Sequence, residues 1–524
     1  MKKKLLYVLF AMLPLVAVTS FMACDSDDEE SGVVNPADID DGAPYQETVV
    51  TVDANGKADG GHRFSKIDDA SFYIDDIIYT VKNNSLEVTG YGKGIGRSAR
   101  IISRLNYKGR SYDVVRIGDE AFKGCSSISS VGIPRSVTSI GGLAFTGCSG
   151  LTAVHIYDLA AWCNIAFQST PLSYAHHLYV NGEETKDLVI PSKVARIGNL
   201  AFSELTGLNS VIIPEGVASI GSRAFQSCSS LTSVHIPESM VIIGEEAFWN
   251  CSGLTSIVIP KGLTSIGEHA FSACSNLNSI VVEEGNPKYD SRGGCNAIIR
   301  TASNTLIAGC MNSTIPSGVT GISWDAFAYC TGLNAVTIPG SVTSIGSSAF
   351  DGCSGLKSIN IPDGVTSIGS NAFSGCTGLT AVSIPESVTS IGSYAFANCS
   401  SLTSITIPAT VVNIGSSTFS GCASLNAVSI PHSVIGIGSN AFCGCQALTS
   451  IRIPVKVKSI GKWAFDECNS LTSVTMENDA PPSIHSSTFS ARKNATLYVP
   501  KGSKAAYQKA TYWKEFKEII EVDK

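Results

Sequence analysis

The chain has 524 residues, a formal net charge of −7 and 15% charged residues. Its Lys and Arg are scattered rather than gathered on one stripe, which argues against nucleic-acid binding. Beyond the N-terminus no run approaches the ~18 consecutive apolar residues that a membrane-spanning helix requires.

Residues 1–24 are expected to be an export signal: Lys2, Lys3 and Lys4 form a basic start, an apolar run extends over residues 5 to about 18, and Ala23 precedes Cys24. A small residue directly before a Cys at the end of such a run resembles the lipobox of bacterial lipoproteins. The resemblance implies that Cys24 becomes the lipidated first residue and ties the protein to a membrane. Phe21 and Met22 depart from the residues usual there, which leaves an ordinary secretory signal as the alternative. Residues 25–48 open with Asp25, Ser26, Asp27, Asp28, Glu29 and Glu30 and read as an acidic disordered tether, too poor in apolar groups to fold. A Ser followed by acids just after such a Cys resembles the surface-export signal of Bacteroidota lipoproteins. It implies a lipid-anchored protein on the cell surface at the outer membrane; retention on the periplasmic side is the alternative.

Residues 49–112 carry alternating stretches at 72–81 and 86–91 and are expected to form a β region that seals the first coil of a repeat array. From 113 to 490 the chain repeats every 23 residues. Phe350, Phe373, Phe396, Phe419, Phe442 and Phe465 keep that spacing, as do Phe202, Phe225, Phe248 and Phe271. In the unit 217–237, Leu231, Val234 and Ile236 are the inward residues of a short strand, and Pro237 halts it because it offers no amide hydrogen. Val217 and Ile220 form a second short extended side, Gly221 permits the bend, and Ala224 and Phe225 close the coil. Stacked in register, such coils predict a parallel sheet with ~4.8 Å between rungs, and about fifteen rungs make a rod or arc on the order of 70 Å long. Burying each repeated Phe against its neighbours contributes roughly 1.5–3 kcal/mol, which a lone repeat cannot realise.

The pattern at Ile384, Pro385, Ser387, Val388, Ile391, Gly392, Ala395, Phe396, Cys399 and Leu402 resembles the BspA-like, or Treponema-type, leucine-rich repeat. The resemblance covers residues 113–490 in thirteen copies. It implies a β-rich leucine-rich-repeat solenoid from a family of bacterial surface proteins, several of them implicated in attachment to host matrix proteins or other cells.

Two intervals break the rhythm, Phe145 to Phe202 and Phe271 to Phe327. In the first, Leu178, Tyr179 and Val180 precede Asn181 and Gly182, with Leu188, Val189 and Ile190 as the expected return strand. In the second, Ala297, Ile298 and Ile299 face Thr305, Leu306 and Ile307 across a polar turn. The first segment is rich in rings: Tyr157, Trp162, Phe167, Tyr174, His176, His177 and Tyr179. Protruding segments often carry function in solenoids, although these residues also suit the padding of an irregular rung. Residues 491–524 are expected to close the far end with a strand at 496–499 and a helix from Ser503 whose Ala506, Tyr507, Ala510, Trp513 and Phe516 share a face.

Seventeen cysteines in an exported chain suggest disulfides, yet twelve occupy one repeat position, including Cys353, Cys376, Cys399 and Cys422. Parallel in-register Cβ atoms ~4.8 Å apart suit a disulfide poorly, so free thiols that pack and weakly hydrogen-bond the backbone are expected. Cys163, Cys295, Cys310 and Cys443 lie off that ladder without zinc-site spacing, and His176 and His177 are adjacent, so no metal and no cofactor are assigned. The glycines of 90–96 lack the ending of a phosphate loop. No nucleophile elbow, triad order or paired acids stand out, and no enzyme is expected.

Outward residues of the strand side, among them Ser233, His235, Ser256, Val258, Ser358, Asn360, Ser404 and Thr406, are expected to form a small-sided, mostly neutral face. The candidate binding residues are therefore Trp162, Tyr174, His176, His177 and Tyr179 in the first interruption and Ser233, His235, Asn360 and Thr406 on the face. Three functions compete: an adhesin or scaffold for host or microbial proteins, including host matrix proteins; a glycan-capturing surface lipoprotein; and a structural envelope spacer.

Overall fold

In a computed structural model that describes residues 46–523, the chain winds into a β-solenoid of about 18 turns. This exceeds the fifteen rungs expected because the flanking and interrupting segments also extend its sheets. The signal, Cys24 and nearly all of the tether lie outside the described residues.

Each regular coil has three sides. On the first, strands such as Ser210–Ile212 and Ser233–His235 pair in parallel, Ser210 opposite Ser233, one repeat apart. On the second, two-residue strands such as Ser219–Ile220 and Ile242–Ile243 do the same. The third side is a pair of turns around Phe. Arg223 and Ser227, either side of Phe225, take φ of 59° and 57°. The amides of residues 223, 225 and 227 all run along the solenoid axis, donating to the carbonyls of Glu245, Ala247 and Trp249 at 2.8–2.9 Å. Left-handed backbone costs a non-glycine residue on the order of 1 kcal/mol, offset here by axial hydrogen bonds that would otherwise be unmade.

Gly221 is required for close approach rather than for the bend itself. Its φ is ordinary, but a Cβ would stand 2.5 Å from the amide nitrogen of Asn199 in the preceding coil. Gly392 likewise faces the amide nitrogen of Ser370 at 2.4 Å. The corner glycine allows backbones of successive rungs to touch.

Inside, the Phe rings stack. Phe350, Phe373 and Phe396 lie nearly parallel with centroids 5.3 Å apart, and an unbroken file runs from Phe327 to Phe489. Beside them run the thiols: Cys376, Cys399 and Cys422 donate to the carbonyls of Phe350, Phe373 and Phe396 in the preceding coil at 3.1–3.2 Å. Burial pushes the Cys376 and Cys422 thiols up to about 12. The described cysteines are unbridged, and all but the half-buried Cys443 are buried.

The first interruption departs from expectation. Leu178–Val180 turns at Asn181 and Gly182, both at positive φ, but pairs antiparallel with Glu183–Glu184. Asp187–Val189 instead pairs in parallel with Ser210–Ile212 and begins the next regular stretch. The Asn-Gly turn makes the tightest hairpin possible and leaves the later apolar run free to continue the solenoid. Two short helices, Leu159–Cys163 and Leu172–Ala175, fill the widened rung, the first capped by the Asp158 carboxylate on the amides of Ala160 and Ala161. In the second interruption the expected hairpin is present, Ala297–Arg300 antiparallel to Thr305–Gly309. The latter strand also joins the second side beside Gly321–Ile322. Here the hydrophobic interior divides into two clusters.

At the N-terminal end Ser71–Ile74, Ile77–Lys82 and Ser85–Tyr91 form an antiparallel meander. Ser85–Tyr91 pairs in parallel with Arg110–Ile117, and that strand with Ser139–Ile140 of the second side. At the other end Thr496–Pro500 adds to the first side next to Ser473–Met476. The expected helix is shorter than its apolar spacing suggested: it spans Lys504–Lys509, Ala510 is extended and Ala506 is exposed. The chain then returns as a strand not anticipated, Glu518–Val522, parallel to Thr496–Pro500. Tyr507, Trp513 and Phe516 are nonetheless buried, Trp513 and Phe516 against Phe489.

Phe396→Ala should destabilise the array by about 3–5 kcal/mol in urea unfolding, whereas Cys399→Ala, which removes one weak hydrogen bond and one sulfur, should cost about 1–2 kcal/mol. If the C-terminal segment caps the solenoid, deleting residues 496–524 should convert a monomer into higher oligomers in size-exclusion chromatography, because the strand Ser473–Met476 becomes an open edge. A truncated chain that stays monomeric would argue against capping.

Candidate binding face

The two-residue period of the first-side strands buries Leu188, Val211 and Ile257 and turns the next residue outward. Parallel pairing in register then lines these outward residues up along the axis. Val189 stands opposite Ile212, Ile212 opposite His235, and Val258 opposite Val281. Val189 is 60% exposed, Ile212 50%, Val258 49% and Val281 45%. The result is an apolar column on the open face of the sheet, edged on one side by Asp187, Ser210, Ser233, Ser256 and Ser279. Beyond the second interruption the same column is polar: Asn360 stands opposite Ser383, and Thr406 opposite Ser429. Further on it carries Arg452, whose guanidinium lies 2.6 Å from the Glu477 carboxylate, which also takes His432 at 3.1 Å.

The face is therefore of two kinds. The small-sided, neutral surface expected from the sequence is present over the later coils, and over the earlier ones four large β-branched side chains replace it. The signal is in the sequence: Val211, Ile212 and Ile213, or Ile257, Val258 and Ile259, are unbroken apolar triplets where a half-buried strand needs a polar centre.

The residues singled out in the first interruption do not form one patch. Trp162 is 1% exposed, its indole N–H donating to the Ala201 carbonyl at 2.7 Å, and Phe167 packs edge-on against it at 4.9 Å. Both belong to the interior, so the expectation that Trp162 contributes to a binding surface is corrected. Tyr174 is half-buried, its hydroxyl accepting from the Gly147 amide at 3.0 Å. His176 ends the short helix with φ 58°, its Nδ1 3.1 Å from the Glu204 carbonyl. His177 meets the Glu184 carboxylate at 2.6 Å across the hairpin, and the Lys186 ammonium lies 3.2 Å from the same carboxylate. Hydrogen bonds from His177 and Lys186 hold the Glu184 carboxyl below its usual range.

Tyr179 is different. It stands opposite His155 on the first side, and the two rings stack with centroids 4.7 Å apart. His155, which sequence reasoning passes over, and Tyr179 thus extend the outward column on the far side of the hairpin. Ser233 and His235 lie within the apolar stretch and Asn360 and Thr406 within the polar one, all exposed. Among the described residues no three His, Cys, Asp or Glu side chains group as they would around a metal ion.

A family model described as BspA type leucine rich repeat region (6 copies) matches residues 115–178, 173–292, 308–426 and 412–519. A solved leucine rich cell surface protein from Faecalibacterium prausnitzii is 28% identical, with 79% of this chain and 96% of that one covered at a TM-score of 0.51. A leucine-rich repeat protein from Bacteroides ovatus is 28% identical over 86% of this chain and all (100%) of the other, with a TM-score of 0.44. The pneumococcal vaccine antigen PcpA is 19% identical over 87% and 99% of the two chains, at 0.45. Comparison with curated proteins gave no match.

Proposed function

The chain belongs to the BspA-type leucine-rich repeat family, and on that premise we propose that it is an exported, non-catalytic scaffold that binds a protein partner through the outward column of its first side. The observation that carries this reading is the apolar stretch Val189, Ile212, Val258 and Val281, four β-branched side chains left 45–60% exposed in register. Exposed apolar side chains grouped along one face are costly to leave in water and mark interaction surfaces. His235 interrupts it, and the stacked His155 and Tyr179 add the kind of ring that anchors protein interfaces. Partners include host matrix proteins and proteins of neighbouring microbes.

The description of the Faecalibacterium relative as a cell surface protein supports export. Anchoring through a lipidated Cys24 at the outer membrane, with the face displayed to the outside, completes the proposal. Many copies held on one surface raise the effective concentration of weak sites.

In surface plasmon resonance against purified matrix proteins, the double variant Ile212→Glu, Val258→Glu should lose roughly tenfold or more in affinity, while Thr406→Glu on the polar stretch leaves it unchanged. Equal effects of the two would move the site elsewhere. On cells, Cys24→Ser should shift the protein from the membrane fraction to the medium or periplasm; continued membrane association would refute the lipid anchor.

A further inference from the structure

At the second interruption the strand Thr305–Gly309 is wedged between the coil of Phe271 and the coil of Phe327. These two coils remain neighbours on the third side, where the Ala273 amide donates to the Ala328 carbonyl at 3.1 Å and the His269 imidazole meets the Asp325 carboxylate at 2.7 Å. Between these two contacts, at Phe271, the axial bond fails. In regular coils the Phe amide donates to the Ala carbonyl of the next coil, as Phe248 does to Ala270 and Phe327 to Ala349. The acceptor corresponding to Phe271 is Ala326, whose carbonyl is taken instead by the Gly309 amide at 2.7 Å. Among the described residues the amides of His269 and Phe271 have no protein acceptor. Two donors thus point along the axis into a gap, and such groups do not stay unsatisfied at no cost.

The gap is a cavity of about 120 Å³. Its lining includes the apolar Phe271 and Ile307 and, among the polar and aromatic groups, His269, Glu268, Arg300 and Trp324. Trp324 is 53% exposed, and its ring meets the His269 ring at 84° with centroids 4.5 Å apart. The sequence marks the same place: Ser323 stands where the regular coil has its corner glycine, a substitution that only a widened rung accommodates.

We infer that this cleft binds a single pyranose ring at the end of a glycan. A pyranose has one face of C–H groups, which suits an indole, and hydroxyls that both donate and accept. The cleft matches each part: the exposed Trp324 ring, donors in Arg300 and the amides of His269 and Phe271, and an acceptor in Glu268. An inorganic anion would find no use for the indole and would be opposed by Glu268 and Asp325. An extended peptide needs a long groove, whereas this cleft encloses only about 120 Å³. The site lies away from the protein-binding column, so the two proposals stand or fall separately.

The test uses the full chain and a panel of methyl glycosides of glucose, galactose, N-acetylglucosamine and glucuronic acid at millimolar concentration, read by saturation-transfer NMR. At least one glycoside should receive saturation at its ring protons. Trp324→Ala should weaken that glycoside roughly tenfold or more, while Trp463→Ala and Ile212→Glu leave it unchanged. The proposal is overturned if no glycoside in the panel binds, if binding survives Trp324→Ala, or if Trp463→Ala abolishes it equally.

Discussion

Everything in this molecule depends on one condition: the backbone of each coil must meet the backbone of the next at hydrogen-bonding distance on three sides at once. The 23-residue period is the length of chain that satisfies it. The corner glycine exists because any Cβ there would strike the preceding rung. In the regular coils left-handed residues flank the Phe so that three alternate amides point the same way. The Phe file and the thiols fill the remaining interior and bond the carbonyl that the turn leaves open. Side chains that do not take part in this condition are free to vary, and they are the outward ones.

The same distinction decides how much is legible in the sequence. Spacing reveals the coil, its inward residues and the Phe stack because each repeats where stacking demands it. It does not reveal why the corner glycine is needed, since close approach between coils has no local signature. Pattern places the return of the first hairpin at residues 188–190 because an apolar run outweighs two glutamates, although the tight Asn-Gly turn pairs only immediate neighbours. Trp162 resembles a surface anchor because it stands in an irregular segment; its burial comes from the short helix Leu159–Cys163, which periodicity over so few residues cannot disclose. The C-terminal apolar spacing is real, but Tyr507, Trp513 and Phe516 reach the interior from an α-helix, a short 3-10 helix and a bend rather than from one helix.

The two interruptions have opposite consequences. The first widens a rung and fills it with Trp162, Phe167 and two helices, leaving a tight interior. The second inserts a strand without filling the rung, which divides the interior and frees two amides. The face changes character across that second break, apolar before it and hydroxyl-rich after it. A solenoid that interacts through several surfaces gains from this segmentation, because each stretch of column can be altered without disturbing the stacking behind it.

The buried thiols set a condition on the protein's lifetime. Against an oxidant the thiols are protected by enclosure and by burial that holds them protonated. In the folded array neighbouring sulfurs point the same way and are poorly placed to bridge, but once several coils open they become a dense set of reactive groups on a flexible chain. Cross-linking that outpaces rewinding would make the opening irreversible. In an oxidising medium the endurance of such a stack depends on how seldom its ends unravel, a rate, as well as on its equilibrium stability.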